Sequence, residues 1–217
     1  MIINSYTRFI KHEIRNLIEN IIFDLGNVLL NYKPKEVLVK FTQDDQLIES
    51  FIKDINGSDT WLELDRGTIT TNKARDYFIS QYPEKKELII LYFEHWVEGL
   101  TPIQENIEIL KELKQKGYKT YILSNYMQEP YNIVKNKHDF FSLVDGKVFS
   151  FKEHVIKPEK EIYQILLSRF NLIPEECVFI DDHQYVLDVA EDFGINTVLF
   201  QPETDLREEL RKYNVNI

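Results

Sequence analysis

Five side chains in this sequence have the types and order needed for chemistry on a phosphate ester: Asp24, Ser124, Lys157 and the adjacent Asp181 and Asp182. A carboxylate can attack phosphorus and carry the transferred group, which splits one hard displacement into two easier ones. A hydroxyl and a compact ammonium can hold phosphoryl oxygens as charge shifts in the transition state. Because two anions must meet in such a step, a hard cation has to screen them. An aspartate that closes a strand is, taken alone, more often a helix cap or a silent carboxylate. The ordered combination gives Asp24 its weight.

Each of these residues sits at the end of an element. Ile21-Ile22-Phe23 stops at Asp24 and is followed by the turn-forming Leu25-Gly26-Asn27. Residues 118–123 read as a strand ending in Ser124-Asn125, and 178–180 as a buried strand ending in Asp181-Asp182. Further strand-like stretches cover 143–149 and 197–200. Helical patterns lie between them. One runs over 102–116, with Ile103, Ile107, Leu110 and Leu113 on one face and Gly117 as its stop. Others cover 128–137, 158–170 with Pro158 in the first turn, 184–193 closing at Gly194, and a terminal stretch from near Glu203. Strands alternating with helices predict an α/β fold, a Rossmann-like parallel sheet with right-handed crossovers. The crevice of such a sheet lies beyond the carboxyl ends of its strands, so Asp24, Ser124 and the Asp181-Asp182 pair should converge.

Residues 33–100 break the alternation with helical patterns at 35–42, 46–55, 72–80 and 84–97, too long a stretch for a crossover loop. The expected organisation is a core of residues 1–32 and 101–217 with a small all-helical cap, 33–100, inserted after the first strand. Within residues 1–19, Phe9, Ile10, Ile14, Leu17 and Ile18 fall at helical spacing over 7–19 and predict an additional amphipathic helix packed on the chain's own core. Trp61, Trp96, Tyr92 and Phe93 read as the packing between cap helices, in preference to a stacking platform.

Four motifs carry a resemblance to a known family. Phe23-Asp24-Leu25-Gly26-Asn27-Val28-Leu29 resembles the first motif of the haloacid dehalogenase superfamily. Leu123-Ser124-Asn125 resembles its second, Lys157-Pro158 its third and Phe179-Ile180-Asp181-Asp182 its fourth. The likeness runs from about residue 20 to 202, and is strongest toward the branch of sugar phosphatases and the phosphatase domain of epoxide hydrolases. It implies a Mg²⁺-dependent phosphatase with Asp24 as nucleophile. The metal would be held by Asp24, Asp182 and the backbone carbonyl of Gly26, and Asp181 would orient Lys157 or hold a metal-bound water. Ser124, the backbone amide of Asn125 at a helix start and Lys157 would bind the phosphoryl group. A cap loop, here Asp65, Arg66 and Gly67, would face the substrate. The competing reading of those three is a helix-linking turn with solvated charges.

Two positions depart from the family pattern. The general acid expected two residues after the nucleophile is replaced by Gly26, a loss that commonly costs about 10²–10⁴ in rate. An anomeric sugar phosphate, whose leaving group needs little help, would tolerate that loss. Val186 stands where an Asp or Asn near the metal is usual, which predicts weaker metal affinity. His154 and His183 lie near motif residues in sequence, but the mechanism does not require them.

Two rival functions fit parts of the pattern. A metal-independent 2-haloacid dehalogenase would need no acid at position 26, although the Asp181-Asp182 pair supplies charge suited to a metal. A non-catalytic member of the same fold could bind a phosphometabolite or a partner protein. The formal net charge of −10 opposes a nucleic-acid partner, since binding phosphates needs a basic face. The expected partner is a small phosphorylated metabolite captured by local groups. The single cysteine, Cys177 in an apolar run, reads as a core thiol. No apolar stretch reaches membrane-spanning length, and charges within the first twenty residues interrupt any signal-like run. A soluble cytoplasmic protein without membrane partners is expected.

Overall fold

The computed structural model describes residues 17–217. The helix expected over 7–19 falls outside these residues except at 17–19, which are not helical. Glu19 already joins the sheet: its N–H donates to the Glu176 carbonyl (3.0 Å), and its carbonyl accepts the Lys119 N–H (2.9 Å).

Strand β1 (Asn20–Phe23) leads into a helical insert: α1 (Pro34–Leu38), α2 (Asp45–Phe51), α3 (Asp59–Arg66), α4 (Thr71–Gln81) and α5 (Lys86–His95). The chain continues through α6 (Gln104–Gln115), β2 (Lys119–Ser124), α7 (Gln128–Val134), β3 (Gly146–Phe149) and α8 (Ser150–Glu153). It ends with α9 (Lys160–Phe170), β4 (Cys177–Asp181), α10 (Gln184–Asp192), β5 (Asn196–Leu199) and α11 (Leu206–Lys212). The strands form one parallel sheet in the order β3-β2-β1-β4-β5. Strand β1 is central and wholly buried, which its apolar sequence allows because both neighbours and both faces are covered.

Alternate residues of the strands feed two cores. Ile21, Phe23, Ile122, Val178 and Ile180 pack with α6 and α11 through Ile107, Leu110, Leu206 and Leu210. Ile22, Leu123, Cys177 and Phe179 pack on the opposite face with α9 and α10. This period of two is the ordinary consequence of the strand pleat, and it gives a three-layer α/β fold. Cys177 is fully buried, as its sequence context suggests. Among the described residues no helix is long and apolar enough to cross a membrane.

The insert has its own hydrophobic cluster, built on Phe51, Trp61, Leu64, Phe78, Tyr92 and Trp96. Trp61 and Trp96 meet edge to face at 5.4 Å. Three local expectations are corrected. Residues 59–66 form a helix, so Asp65 and Arg66, read from the sequence as part of a cap loop or a linking turn, lie in its last turn; the Ser58 hydroxyl accepts the Trp61 N–H (3.2 Å), and Gly67 closes the helix at φ 74°. Pro158 does not begin α9. It lies two residues earlier, joined to Lys157 by a cis peptide, and Glu159 takes the N-cap position. The strand expected from residue 143 starts at Gly146, because Asp139–Ser142 forms a 3₁₀ turn that runs up to Leu143.

Candidate active site

The site is assembled at the carboxyl ends of the central strands. Asp24 follows β1 directly, and its N–H donates to the Ile180 carbonyl (2.8 Å), so the last step of the ladder fixes its place. Lys157 arrives from the loop before α9 and is 4% exposed. Its ammonium donates to Asp24 Oδ1 (2.8 Å) and Asp181 Oδ2 (2.5 Å). The other oxygen of Asp181 accepts the His183 N–H (2.9 Å), so both oxygens of this fully buried carboxylate are engaged.

The Asn125 side chain has a task that the sequence reading did not assign. Helix α7 begins only at Gln128, so Asn125 is not at a helix start. Its side-chain oxygen accepts the Lys157 N–H (2.7 Å) and its amide nitrogen donates to the Lys157 carbonyl (3.0 Å). This two-point clamp fixes the backbone from which the buried lysine projects. Asn27, read from the sequence only as a turn former, also orients a carboxylate. It takes the left-handed conformation at φ 53°, which asparagine tolerates better than most residues. From there its amide donates to Asp182 Oδ2 (2.9 Å), while its oxygen accepts the Tyr32 N–H (3.0 Å).

The charges interact strongly because they are buried. Burial pushes the Asp24 carboxyl up to about 6; Lys157 opposes the rise and Asp181 adds to it. Burial also acts against charge on Lys157, but Asp181 and Asp24 overcome it and hold the ammonium above its ordinary range. For Asp181 burial works upward, and Lys157 with the His183 contacts brings the carboxyl below its usual value. His183 is raised to about 10 by its hydrogen bonds to Asp181 and Asp182; its Nδ1 lies 2.6 Å from Asp182 Oδ1.

The donor set fits a hard divalent cation. Asp24 Oδ2 accepts no hydrogen bond among the described residues. A Cβ placed on Gly26 would meet only that oxygen, at 3.9 Å, so the space beside it is open. Asp181, Asp182 and His183 offer ligand atoms within 4.8 Å of one another. Asp181 is taken up by Lys157 and a backbone amide, and Asp182 by the Asn27 amide and the His183 ring, so Asp24 Oδ2 is the carboxylate oxygen of this group left without a hydrogen bond among the described residues.

These groups open into a cavity of about 250 Å³ between the sheet ends and the insert. Asp24, Gly26, Asn125, Lys157, Asp181 and Asp182 line it, as does Asp65 from α3. Burial lifts the Asp65 carboxyl to about 7, with the Asp24 charge adding to the rise and Lys157 opposing it. Ser124 does not line the cavity. It is 1% exposed, and its hydroxyl reaches only the Asn125 carbonyl, at 3.3 Å. Arg66 and Gly67 are directed elsewhere too. Arg66 forms a two-pronged ion pair with Glu159 (2.8 and 2.7 Å), and Gly67 lies so close to the Phe151 backbone that a Cβ would sit 2.7 Å from its carbonyl oxygen. His154 contacts the Arg66 carbonyl, away from the chemistry. Trp61 and Trp96 belong to the insert core and also present surface to the cavity, so the two readings of these rings were not exclusive. Asn27, Asn56 and Tyr126 line the cavity as well, and the sequence reading did not select them.

The model of the haloacid dehalogenase-like hydrolase family matches residues 18–194, most of the chain, including Asp24, Ser124, Lys157 and Asp181-Asp182. The chain belongs to this family. Among its relatives within the family is a sesquiterpene phosphatase of Aspergillus oryzae, 27% identical over 174 residues that cover 80% of this chain and 85% of the relative. Another is a D-ribitol-5-phosphate phosphatase of Bacteroides thetaiotaomicron, 24% identical across 89% of this chain and 97% of that one. The chain also matches parts of longer proteins, spanning 18% and 36% of two of them. A haloacid dehalogenase family enzyme from Bacteroides thetaiotaomicron, solved with magnesium and inorganic phosphate, superposes with a TM-score of 0.70 at 25% identity. That match covers 89% of this chain and all of the solved one.

Proposed function

We propose that this hydrolase is a magnesium-dependent phosphatase that transfers the phosphoryl group of a small monoester, a sugar or sugar-alcohol phosphate, to Asp24. The observation that carries the reading is the state of the Asp24 carboxylate: one oxygen is held by the buried Lys157, and the other faces open space and accepts no hydrogen bond among the described residues. Lys157 orients the nucleophile and places positive charge beside the incoming phosphate. Attack by the free oxygen forms the Asp24–phosphorus bond and breaks the bond to the leaving alcohol, which takes its proton from water. A second water then attacks phosphorus, releases inorganic phosphate and restores the carboxylate. Asp24, Asp182 and the Gly26 carbonyl would hold Mg²⁺, which when bound screens the two reacting anions. The relatives that act on a sesquiterpene and on ribitol 5-phosphate bracket the range of alcohols. Magnesium-dependent hydrolysis of p-nitrophenyl phosphate tests the reaction class; turnover of 2-haloacids without metal would replace the reading with the dehalogenase one.

Proton competition gives a direct check on the metal site. With its carboxyl raised to about 6, Asp24 is mostly ionised at pH 7 and about nine-tenths protonated at pH 5. Magnesium affinity measured calorimetrically on the metal-free protein is therefore expected to be about tenfold weaker at pH 5 than at pH 7. An affinity flat across that interval would remove Asp24 from the ligand set.

Gly26 offers a gain-of-function test. Its conformation is open to other residues and a Cβ there meets nothing closer than 3.9 Å. Gly26→Asp is expected to speed hydrolysis of esters with poor leaving groups by about tenfold or more, and to flatten the dependence of rate on leaving-group pKa. An unchanged slope would show that departure is not assisted from this position.

A further inference from the structure

Three residues that line the cavity carry polar groups without a hydrogen-bond partner among the described residues. The Asn56 side chain uses its amide nitrogen on the Tyr32 and Tyr92 hydroxyls (3.0 and 3.1 Å), while its oxygen is buried without a hydrogen bond. The Tyr126 hydroxyl is likewise buried and unpaired, on a residue 9% exposed. The Asp65 carboxylate accepts no hydrogen bond among the described residues, although it sits in the same cavity as both. We propose that Asn56, Asp65 and Tyr126 form a subsite for the hydroxyl groups of the leaving alcohol, which makes phosphate esters of small polyhydroxy compounds the preferred substrates over those of hydrocarbon alcohols. This rests on the phosphatase reading above and adds the residues that choose the substrate.

The positions of the three groups are fixed from behind. The Ser150 hydroxyl is fully buried. It accepts the Tyr126 N–H (2.8 Å) and donates to the Asp65 carbonyl (2.5 Å), so one side chain ties the backbones of both residues together. Asn56 is held by two tyrosine hydroxyls. The polar atoms are thus presented by a rigid frame, and a ligand meets them with little ordering cost. Two are acceptors and one is a hydroxyl that can donate or accept, which matches alcohol groups.

The remaining wall is apolar, with Trp61, Leu62, Trp96 and Leu100 among its residues. A hydrocarbon chain would suit those side chains. It would leave the buried Asn56 oxygen and Tyr126 hydroxyl unpaired, whereas each one that a ligand hydroxyl pairs is worth about ten- to a hundredfold in affinity. A polyol satisfies both kinds of surface, because its C–H faces pack on the rings while its hydroxyls reach Asn56, Asp65 and Tyr126. The volume of about 250 Å³ also lies below the ~300–1,000 Å³ usual for drug-sized ligands and favours a compact substrate.

The test compares kcat/KM of the magnesium-loaded enzyme on ribitol 5-phosphate, glucose 1-phosphate, n-hexyl phosphate and farnesyl phosphate, with p-nitrophenyl phosphate as the general reporter. The wild-type enzyme should prefer at least one polyol ester over the hydrocarbon esters by more than tenfold. Tyr126→Phe, which removes a single unpaired oxygen, and Asp65→Asn should each narrow that ratio by about tenfold, with the loss mainly in KM. Circular dichroism and thermal midpoint confirm that each variant folds. Preference for the hydrocarbon esters, or ratios unmoved in both folded variants, would overturn the subsite while p-nitrophenyl phosphate turnover kept the phosphatase reading intact. No turnover of any ester would remove that reading and the subsite with it.

Discussion

Asp24→Asn is expected to reduce turnover by roughly 10⁴-fold or more and, in the same variant, to raise the thermal midpoint of the metal-free protein at neutral pH. Removal of a nucleophile commonly costs this much. The stability gain follows from the direction of the pKa displacement. The folded protein holds the Asp24 proton more tightly than the unfolded chain does, about 6 against 3.8. The advantage from binding that proton is complete below the unfolded value and is lost as pH rises through about 6. At pH 7 the wild-type site therefore carries an ionised group in an environment that disfavours it, at a cost of a few kcal/mol. Asparagine carries no charge to bury, and Lys157 keeps Asp181 as its partner. At about 2–4 °C per kcal/mol for a chain of this size, the gain should be several degrees. It should shrink toward zero as pH falls from 7 to 4. A variant with a lower midpoint than wild type in EDTA at pH 7 would show that the Asp24–Lys157 contact outweighs desolvation.

Lys157→Met should have the opposite effect on stability. Methionine fills similar space but leaves Asp24 and Asp181 facing each other without their shared cation, and Asp181 has no exposure to water. Breaking a buried ion pair by removing one partner costs about 3–5 kcal/mol, so the midpoint should fall by roughly 10 °C in the absence of metal. Turnover should fall by at least 10²-fold, because a preorganised positive charge beside the phosphoryl group is lost. Two further measurements separate this cause from a packing defect. Magnesium should restore part of the stability by supplying positive charge at Asp24. The gap from wild type should also narrow at pH 4–5, where freed carboxyls can take up protons. Equal destabilisation at pH 4.5 and pH 7, with and without magnesium, would assign the loss to shape alone.

The strand-end residues of the candidate site were easier to read in the sequence than the cavity wall, for physical reasons. A carboxylate after an apolar run, as at Asp24, is conspicuous because the parallel sheet sends every strand end to one edge. The alternation of Ile21, Ile22 and Phe23 between two cores needs only a short apolar run, so the strands could be read from such runs between helical patterns. The wall depends on contacts between distant segments. Nothing near Arg66 in sequence shows that Glu159 will take it, and nothing near Asn125 shows that its amide will clamp Lys157. Asn56 and Tyr126 sit in segments of ordinary composition, and what distinguishes them is a buried polar atom without a partner among the described residues. Helix α3 did leave a local signal, with Ser58 ahead of it and Gly67 behind, but the dense charges of residues 63–66 suggested a solvated turn. The Trp61 and Trp96 rings show a limit of a different kind, since one residue can serve a core and a cavity at once.

The junction at residues 65–67 has a consequence for exchanging parts between relatives. Gly67 lies against Phe151, Arg66 grips Glu159 and the Asp65 carbonyl rests on Ser150. A helical insert transplanted from this chain would bring its half of these contacts and find the other half only in a recipient with a small hydroxyl residue and an acid at the matching places. Chimeras that ignore this pairing would fold as two sound halves with a misaligned seam, and their substrate wall would face the nucleophile at the wrong angle. Those that carry positions 65–67 together with 150, 151 and 159 as one heritable block should keep the wall in register.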